Sequence, residues 1–142
     1  MNSTRYYVAD THSIVWYLLE DPRLGNKALE IFEEPASKSI ILIPTIVLAE
    51  MMFISEKGKV KISFEETLEE IENCEKFEII PLDLYIIRIA SNFEYDLEMH
   101  DRLIVATALC FNSGLLTSDE KIREARLSNL PSVLFLRFYS YS

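Results

Sequence analysis

The chain has 142 residues, 49% of them apolar and 26% charged, with 23 acidic against 14 basic side chains and a formal charge of −9. This length and apolar share suit one folded domain over residues 1–142 with a substantial core, and they exclude a disordered chain. The acidic balance excludes a broad basic face for gripping nucleic-acid backbone, so any such contact has to be local, or some of the acids have to be neutralised by a bound cation.

The opening "MNSTRYYVAD" has no basic-then-apolar leader, and a soluble, cytoplasmic protein is expected. "RYYVA" (5–9) reads as a strand, followed at once by Asp10 and Thr11. "HSIVWYLLE" carries Ile14, Val15, Leu18 and Leu19 at helical spacing, "DPRLG" breaks it, and "NKALEIFEE" gives a second short helix. "SIILI" (39–43) is a continuous apolar run, as expected of a strand buried on both faces. Pro44 can open a helix at its first turn, and residues 45–57 read as a helix that stops at Gly58. The run 40–54 is too short to span a bilayer and contains one charge, Glu50. Ser63 and Glu66 have capping-box spacing at the head of "SFEETLEEIENC". "FEIIPL" (77–82) reads as a strand and "DLYIIRIASNF" as an amphipathic helix. "HDRLIVATALCFN" reads as a helix rich in small residues that ends at Gly114, "LLT" (115–117) as a short strand, "DEKIREARL" as a last helix and "SVLFLRF" (132–138) as a last strand. Strands alternating with helices predict an α/β fold with a parallel sheet covered on both faces. The ligand crevice of such a sheet lies beyond the carboxyl ends of its strands.

The three glycines, Gly25, Gly58 and Gly114, are too far apart for either of the glycine-rich nucleotide loops. Cys74 and Cys110, the only cysteines, make no disulfide framework, and Cys110 in "LIVATALCF" is expected to be a small buried hydrophobe. No cysteine–histidine pair has zinc-finger spacing.

The acids are the informative residues. In a parallel sheet, Asp10 and Asp119 follow strands at the carboxyl edge, while Glu50 and Asp101 lie on helices entered from that edge. All four can therefore converge. Four carboxylates in one crevice cannot all stay ionised without a cation, and oxygen ligands suit Mg2+ or Mn2+. Each acid alone also has a plain reading: Asp10, Asp101 and Asp119 as helix caps, Glu50 as the wet stripe of a buried helix. His12 and His100 flank two of the acids, and supporting or capping roles are expected of them. Lys57, Lys59 and Lys61 offer either a local basic patch or a solvated turn, and Arg102 either a phosphate contact or a carboxylate partner. Met51, Met52, Phe53 and Ile54 make the Glu50 helix apolar nearly all round. With Phe138, Tyr139 and Tyr141 they supply apolar surface for a dimer interface, or else a deep helix and an ordinary terminal strand.

"VADTHSIVWYLLEDPRL", "PTIVLAE" around Glu50, "HDRLIVATAL" (100–109) and "GLLTSDEKI" (114–122), in this order over nearly the whole chain, resemble the PIN domain, and within it the VapC-type toxins of type II toxin–antitoxin pairs. Val47 stands where that family often has a small polar residue. The resemblance implies a three-layer α/β/α domain with a central parallel sheet of about five short strands and a metal-dependent ribonuclease site. It implies that Asp10, Glu50, Asp101 and Asp119 are the catalytic, Mg2+- or Mn2+-holding acids, and that Thr11 and Thr117 are hydroxyls supporting them. It also implies a homodimer and a small antitoxin partner in the active-site groove. Two other classes compete. A Mg2+-dependent phosphatase of the aspartyl type needs a second Asp where His12 stands, and a non-catalytic PIN-like module binding protein or RNA usually lacks one of the acids.

Overall fold

A computed structural model describes residues 3–58, 60–92, 96–117 and 137–139. Five strands, β1 (Arg5–Ala9), β2 (Ser39–Pro44), β3 (Phe77–Ile80), β4 (Gly114–Leu116) and β5 (Arg137–Tyr139), form one sheet in the order β3-β2-β1-β4-β5. Every pairing is parallel. The helices are α1 (Thr11–Leu18), α2 (Asn26–Glu33), α3 (Thr45–Glu56), α4 (Phe64–Asn73), α5 (Leu84–Ser91) and α6 (Met99–Cys110), with a 3-10 turn at Pro22–Leu24. The result is a central parallel sheet flanked by helices. The expected last helix, "DEKIREARL", lies outside the described residues.

The continuous apolar runs explain the central strands. Tyr7, Val8, Ala9, Ile41, Leu42, Ile43, Leu115 and Leu116 are all buried, so consecutive residues on opposite faces of the sheet are covered. Burying one such Ile or Leu side chain contributes about 1.5–3 kcal/mol. Helix α6 packs on β1 and β4. Its residues Leu103 to Leu109 are buried without a break. The small residues allow that close approach, and the Thr107 hydroxyl, 2% exposed, donates to the Leu103 carbonyl at 2.7 Å.

The helix expected over 45–57 is present, and two other local expectations are corrected. Pro44 ends β2, in register with Ile80 of β3, and also occupies the cap position of α3, whose first residue is Thr45. Helix α6 stops at Asn112, in the left-handed region at φ 48°, and not at Gly114, which opens β4. The Asn112 and Ser113 amides donate back to Leu109 and Ala108 carbonyls, the hydrogen-bond pattern of a glycine-type helix stop made here by asparagine. Cys110, the last residue of α6, is half-buried and not fully buried as expected. Burial, with Asp83 adding to it, pushes its thiol pKa up.

At the amino edge of the sheet, the buried Lys76 ammonium donates to the Ser39 carbonyl at 2.9 Å and to the Ser39 hydroxyl. Burial pushes that amine below its ordinary value, against the opposing pull of Glu34. No helix among the described residues is long and apolar enough to cross a membrane.

The strand order sets the functional geography. The chain runs β1 to β2 to β3 outward in one direction, then returns to place β4 on the other side of β1. In open parallel sheets this reversal leaves a crevice at the carboxyl ends of the two strands, here β1 and β4. Ala9 is in register with Leu116, so Asp10 and Thr117 are the next residues on adjacent strands at that crevice.

Candidate metal centre

Asp10 sits where β1 becomes α1, 7% exposed. Its backbone amide donates to the Leu116 carbonyl at 3.3 Å, which ties it to the β4 end of the crevice. Its Oδ1 accepts from the Ser13 amide at 3.0 Å, and the Ser13 hydroxyl donates to the Asp10 carbonyl at 2.9 Å. Asp10 is thus a helix cap. A cap uses one of the roughly four lone-pair directions of a carboxylate, so it holds the group in place without exhausting it as a ligand.

Glu50 is the sixth residue of α3. Its Oε1 accepts from the Thr11 hydroxyl at 2.7 Å, and its Oε2 lies 3.7 Å from His100 Nε2. Thr11 is the first residue of α1, directly after Asp10, and α1 packs against α3. An otherwise costly carboxylate in an apolar helix is therefore accommodated by a hydroxyl from one neighbouring helix and an imidazole from another. The side chain keeps 29% exposure, so it faces a partly wet crevice.

Asp101 is the third residue of α6, not its cap. The cap position is Glu98, whose side chain makes no capping bond. A carboxylate in the first turn is favoured by the helix dipole. Its Oδ1 lies 3.4 Å from the same His100 Nε2. His100 Nδ1 is 3.7 Å from Glu98 Oε2. One imidazole nitrogen thus lies between Glu50 and Asp101, with a third carboxylate behind the ring.

These contacts link Thr11, Glu50, His100 and Asp101 in one chain, Asp10 adjoins it as the residue before Thr11, and Thr117, fully buried, takes its place after β4 at the same edge. Asp119 lies outside the described residues. The two histidines, similar in the sequence, separate here. His12 is exposed with its ring 5.5 Å from that of Trp16, whereas His100 stands among the acids. The signal for His100 was its place in the same first turn as Asp101, on a helix entering the carboxyl edge. Arg102 lines an apolar cavity of about 460 Å3 together with Ile46, Leu82, Ile87, Leu97 and Met99. Lys57 and Lys61 are exposed, with the Lys57 ammonium 4.2 Å from the centre of the Phe53 ring, while Lys59 lies outside the described residues. On α3, Met51 is buried but Met52 and Phe53 are exposed, so the helix has an apolar outer side and is not the deep central helix that its composition also allowed.

The donor set is mostly hard oxygen and partly buried, with two carboxylates beside one imidazole nitrogen, and it fits a small divalent cation. Glu98, His100 and Asp101 also offer ligand atoms within 4.8 Å of one another.

The family model described as PIN domain matches residues 7–127. Among solved structures, the chain is similar to VapBC2 from Rickettsia felis bound to a promoter DNA fragment, at 20% identity and a TM-score of 0.71, covering 95% of this chain and 98% of that one. It is also similar to DNA-bound VapBC from Salmonella typhimurium, at 16% identity and a TM-score of 0.68, covering 97% and 99%. A third similar structure is VapBC-1 from nontypeable Haemophilus influenzae, at 16% identity and a TM-score of 0.65, covering 96% and 98%. No curated protein matches the chain.

Proposed function

Because the chain belongs to the PIN domain family, we propose that it is a metal-dependent endoribonuclease, the toxin of a VapC-type toxin–antitoxin pair acting in the cytoplasm. The observation that carries this reading is the contact chain Thr11–Glu50–His100–Asp101 beside Asp10, at the sheet's reversal point. The likeness in fold to toxins solved in VapBC complexes supports the toxin role and an antitoxin partner.

Asp10, Glu50 and Asp101 would hold Mg2+ or Mn2+, with Asp119 completing the set. When bound, the cation supplies Lewis-acid polarisation of the scissile phosphate and acidifies water. The protein's own part is orientation. The Ser13 amide holds Asp10, the Thr11 hydroxyl holds Glu50, and the first turn of α6 holds Asp101. Thr117 backs the crevice from β4. No side-chain nucleophile is required. Water attacks phosphorus, and the products carry a 5′-phosphate and a 3′-hydroxyl. The homodimer belongs to the same proposal, supported by the exposed apolar side chains Leu84, Tyr85, Ile87 and Met99 on α5 and α6.

The test is cleavage of a short fluorogenic RNA by protein freed of any partner, with Mn2+, with Mg2+ and with EDTA, beside Asp101→Asn. Metal-dependent cutting that is lost in the variant is expected. Equal cutting by the variant would remove Asp101 from the site, and a folded protein that neither cuts RNA nor binds metal would be a binding module.

A further inference from the structure

His100 stands apart from an all-carboxylate metal site, and three observations define its place. Its Nε2 lies 3.4 Å from Asp101 Oδ1 and 3.7 Å from Glu50 Oε2, and its Nδ1 lies 3.7 Å from Glu98 Oε2. The ring is therefore oriented from behind by one carboxylate and aims its other nitrogen at two more. That is the arrangement in which metal-ligating histidines usually occur, with the far nitrogen turned to a carboxylate that fixes the tautomer and the ring plane. In the tautomer with its hydrogen on Nδ1, beside Glu98, the Nε2 nitrogen is a lone-pair donor next to two acceptor-only oxygens. A nitrogen and two carboxylate oxygens grouped this closely fit a cation held among them.

The spacing agrees. Donors adjacent on an octahedral ion with bonds of about 2.1 Å lie about 3.0 Å apart, and donors on a tetrahedral ion lie roughly 3.4 Å apart. The separations of 3.4 and 3.7 Å close to the octahedral value with about 0.4–0.7 Å of side-chain movement. The side chain is 33% exposed, so the metal would also stay open to water and substrate.

We propose that His100 is a nitrogen ligand of this centre, making it a mixed nitrogen–oxygen site selective for a first-row transition-metal dication such as Mn2+ over Mg2+. The inference rests on the reading of Glu50 and Asp101 as metal-holding acids. Its physical basis is that imidazole nitrogen suits transition-metal ions, whereas Mg2+ takes oxygen ligands and keeps its waters. Glu98 then acts as a positioning residue, through the ring and not on the metal.

The experiment is pulsed electron paramagnetic resonance of the Mn2+-loaded full chain, which detects a directly coordinated nitrogen without any turnover. The chain has only two histidines, so labelling them with 15N gives an unambiguous assignment. The expected result is a coordinated-nitrogen modulation in the wild type that shifts frequency on 15N-histidine labelling, persists in His12→Gln and vanishes in His100→Gln. In the same variant the ratio of Mn2+ to Mg2+ affinity should fall about tenfold, the scale of losses on removing a group that tunes a metal site. If His100→Gln fails to fold, the labelled wild type and His12→Gln carry the assignment alone. A wild type that binds Mn2+ without any nitrogen modulation overturns the proposal and leaves an all-oxygen site, with Asp101→Asn still weakening Mn2+. A modulation that disappears in His12→Gln also overturns it. A folded wild type that binds no Mn2+ overturns both this proposal and the reading it rests on.

Discussion

Removing the Thr11 hydroxyl tests whether the crevice is held together as described. Thr11→Val keeps the shape of the side chain and deletes the donor to Glu50 Oε1 at 2.7 Å. That distance is at the short, charge-assisted end for a hydroxyl on a carboxylate. Hydrogen bonds to charged groups contribute about 1.5–3 kcal/mol. Thr11 is 4% exposed, which favours the full value, but the Glu50 side chain is 29% exposed and solvent screens part of it. The expected coupling is therefore about 1–2 kcal/mol. A double-mutant cycle of Thr11→Val and Glu50→Ala, read by urea unfolding in EDTA, isolates this term from the helix propensities of the new residues. The two substitutions should be non-additive by that amount. Additivity within about 0.5 kcal/mol would mean that the contact is geometric only and that Thr11 does not hold Glu50. In Mn2+ titrations, Thr11→Val alone should weaken binding about tenfold or more, because an unheld carboxylate has to be ordered by the metal itself.

Two further outcomes are expected. Burial holds the Lys76 amine below its ordinary value of 10.5. The unfolded chain therefore binds that proton more tightly, and the stability of the wild type relative to Lys76→Met should be greatest above pH 10.5 and decline as the pH falls from there through the lowered folded value. Urea midpoints of both proteins between pH 8 and about 10.5 read this difference, and parallel curves would refute it. Light scattering on the purified chain at micromolar concentration should give a dimer that Tyr85→Glu, on the exposed side of α5, converts to monomer. A wild type that is monomeric throughout would count against the dimer.

Much of this architecture was legible because burial on two faces writes itself into sequence as uninterrupted apolar runs. "RYYVA" reads as a strand and "SIILI" as a strand buried on both faces, and β1 and β2 lie within one residue of those bounds. What the runs do not encode is where a local stop falls. At Pro44 the strand's register with β3 extends one residue beyond "SIILI", up to the start of the helix expected over 45–57. The sequence favours Gly114 over Asn112 as the stop because glycine is the more frequent left-handed residue, although asparagine also tolerates that conformation. Cys110 was read from its apolar neighbours, which describe the helix but not which side of its last turn meets the sheet.

The candidate site was legible for a different reason. A cap and a ligand are not rival explanations of the same aspartate. Asp10 has to be fixed where β1 passes into α1, and the bond from the Ser13 amide that satisfies the helix also fixes the carboxylate at the reversal point. Single residues therefore point to capping, and only their joint placement points to chemistry. His100 escaped that reasoning because an imidazole beside an aspartate in sequence has no preferred direction until the packing of α6 against α3 turns it toward Glu50. The property that most distinguishes this crevice from a set of carboxylates alone is thus a product of tertiary packing. It depends on the angle at which two helices cross, which neither helix's sequence records.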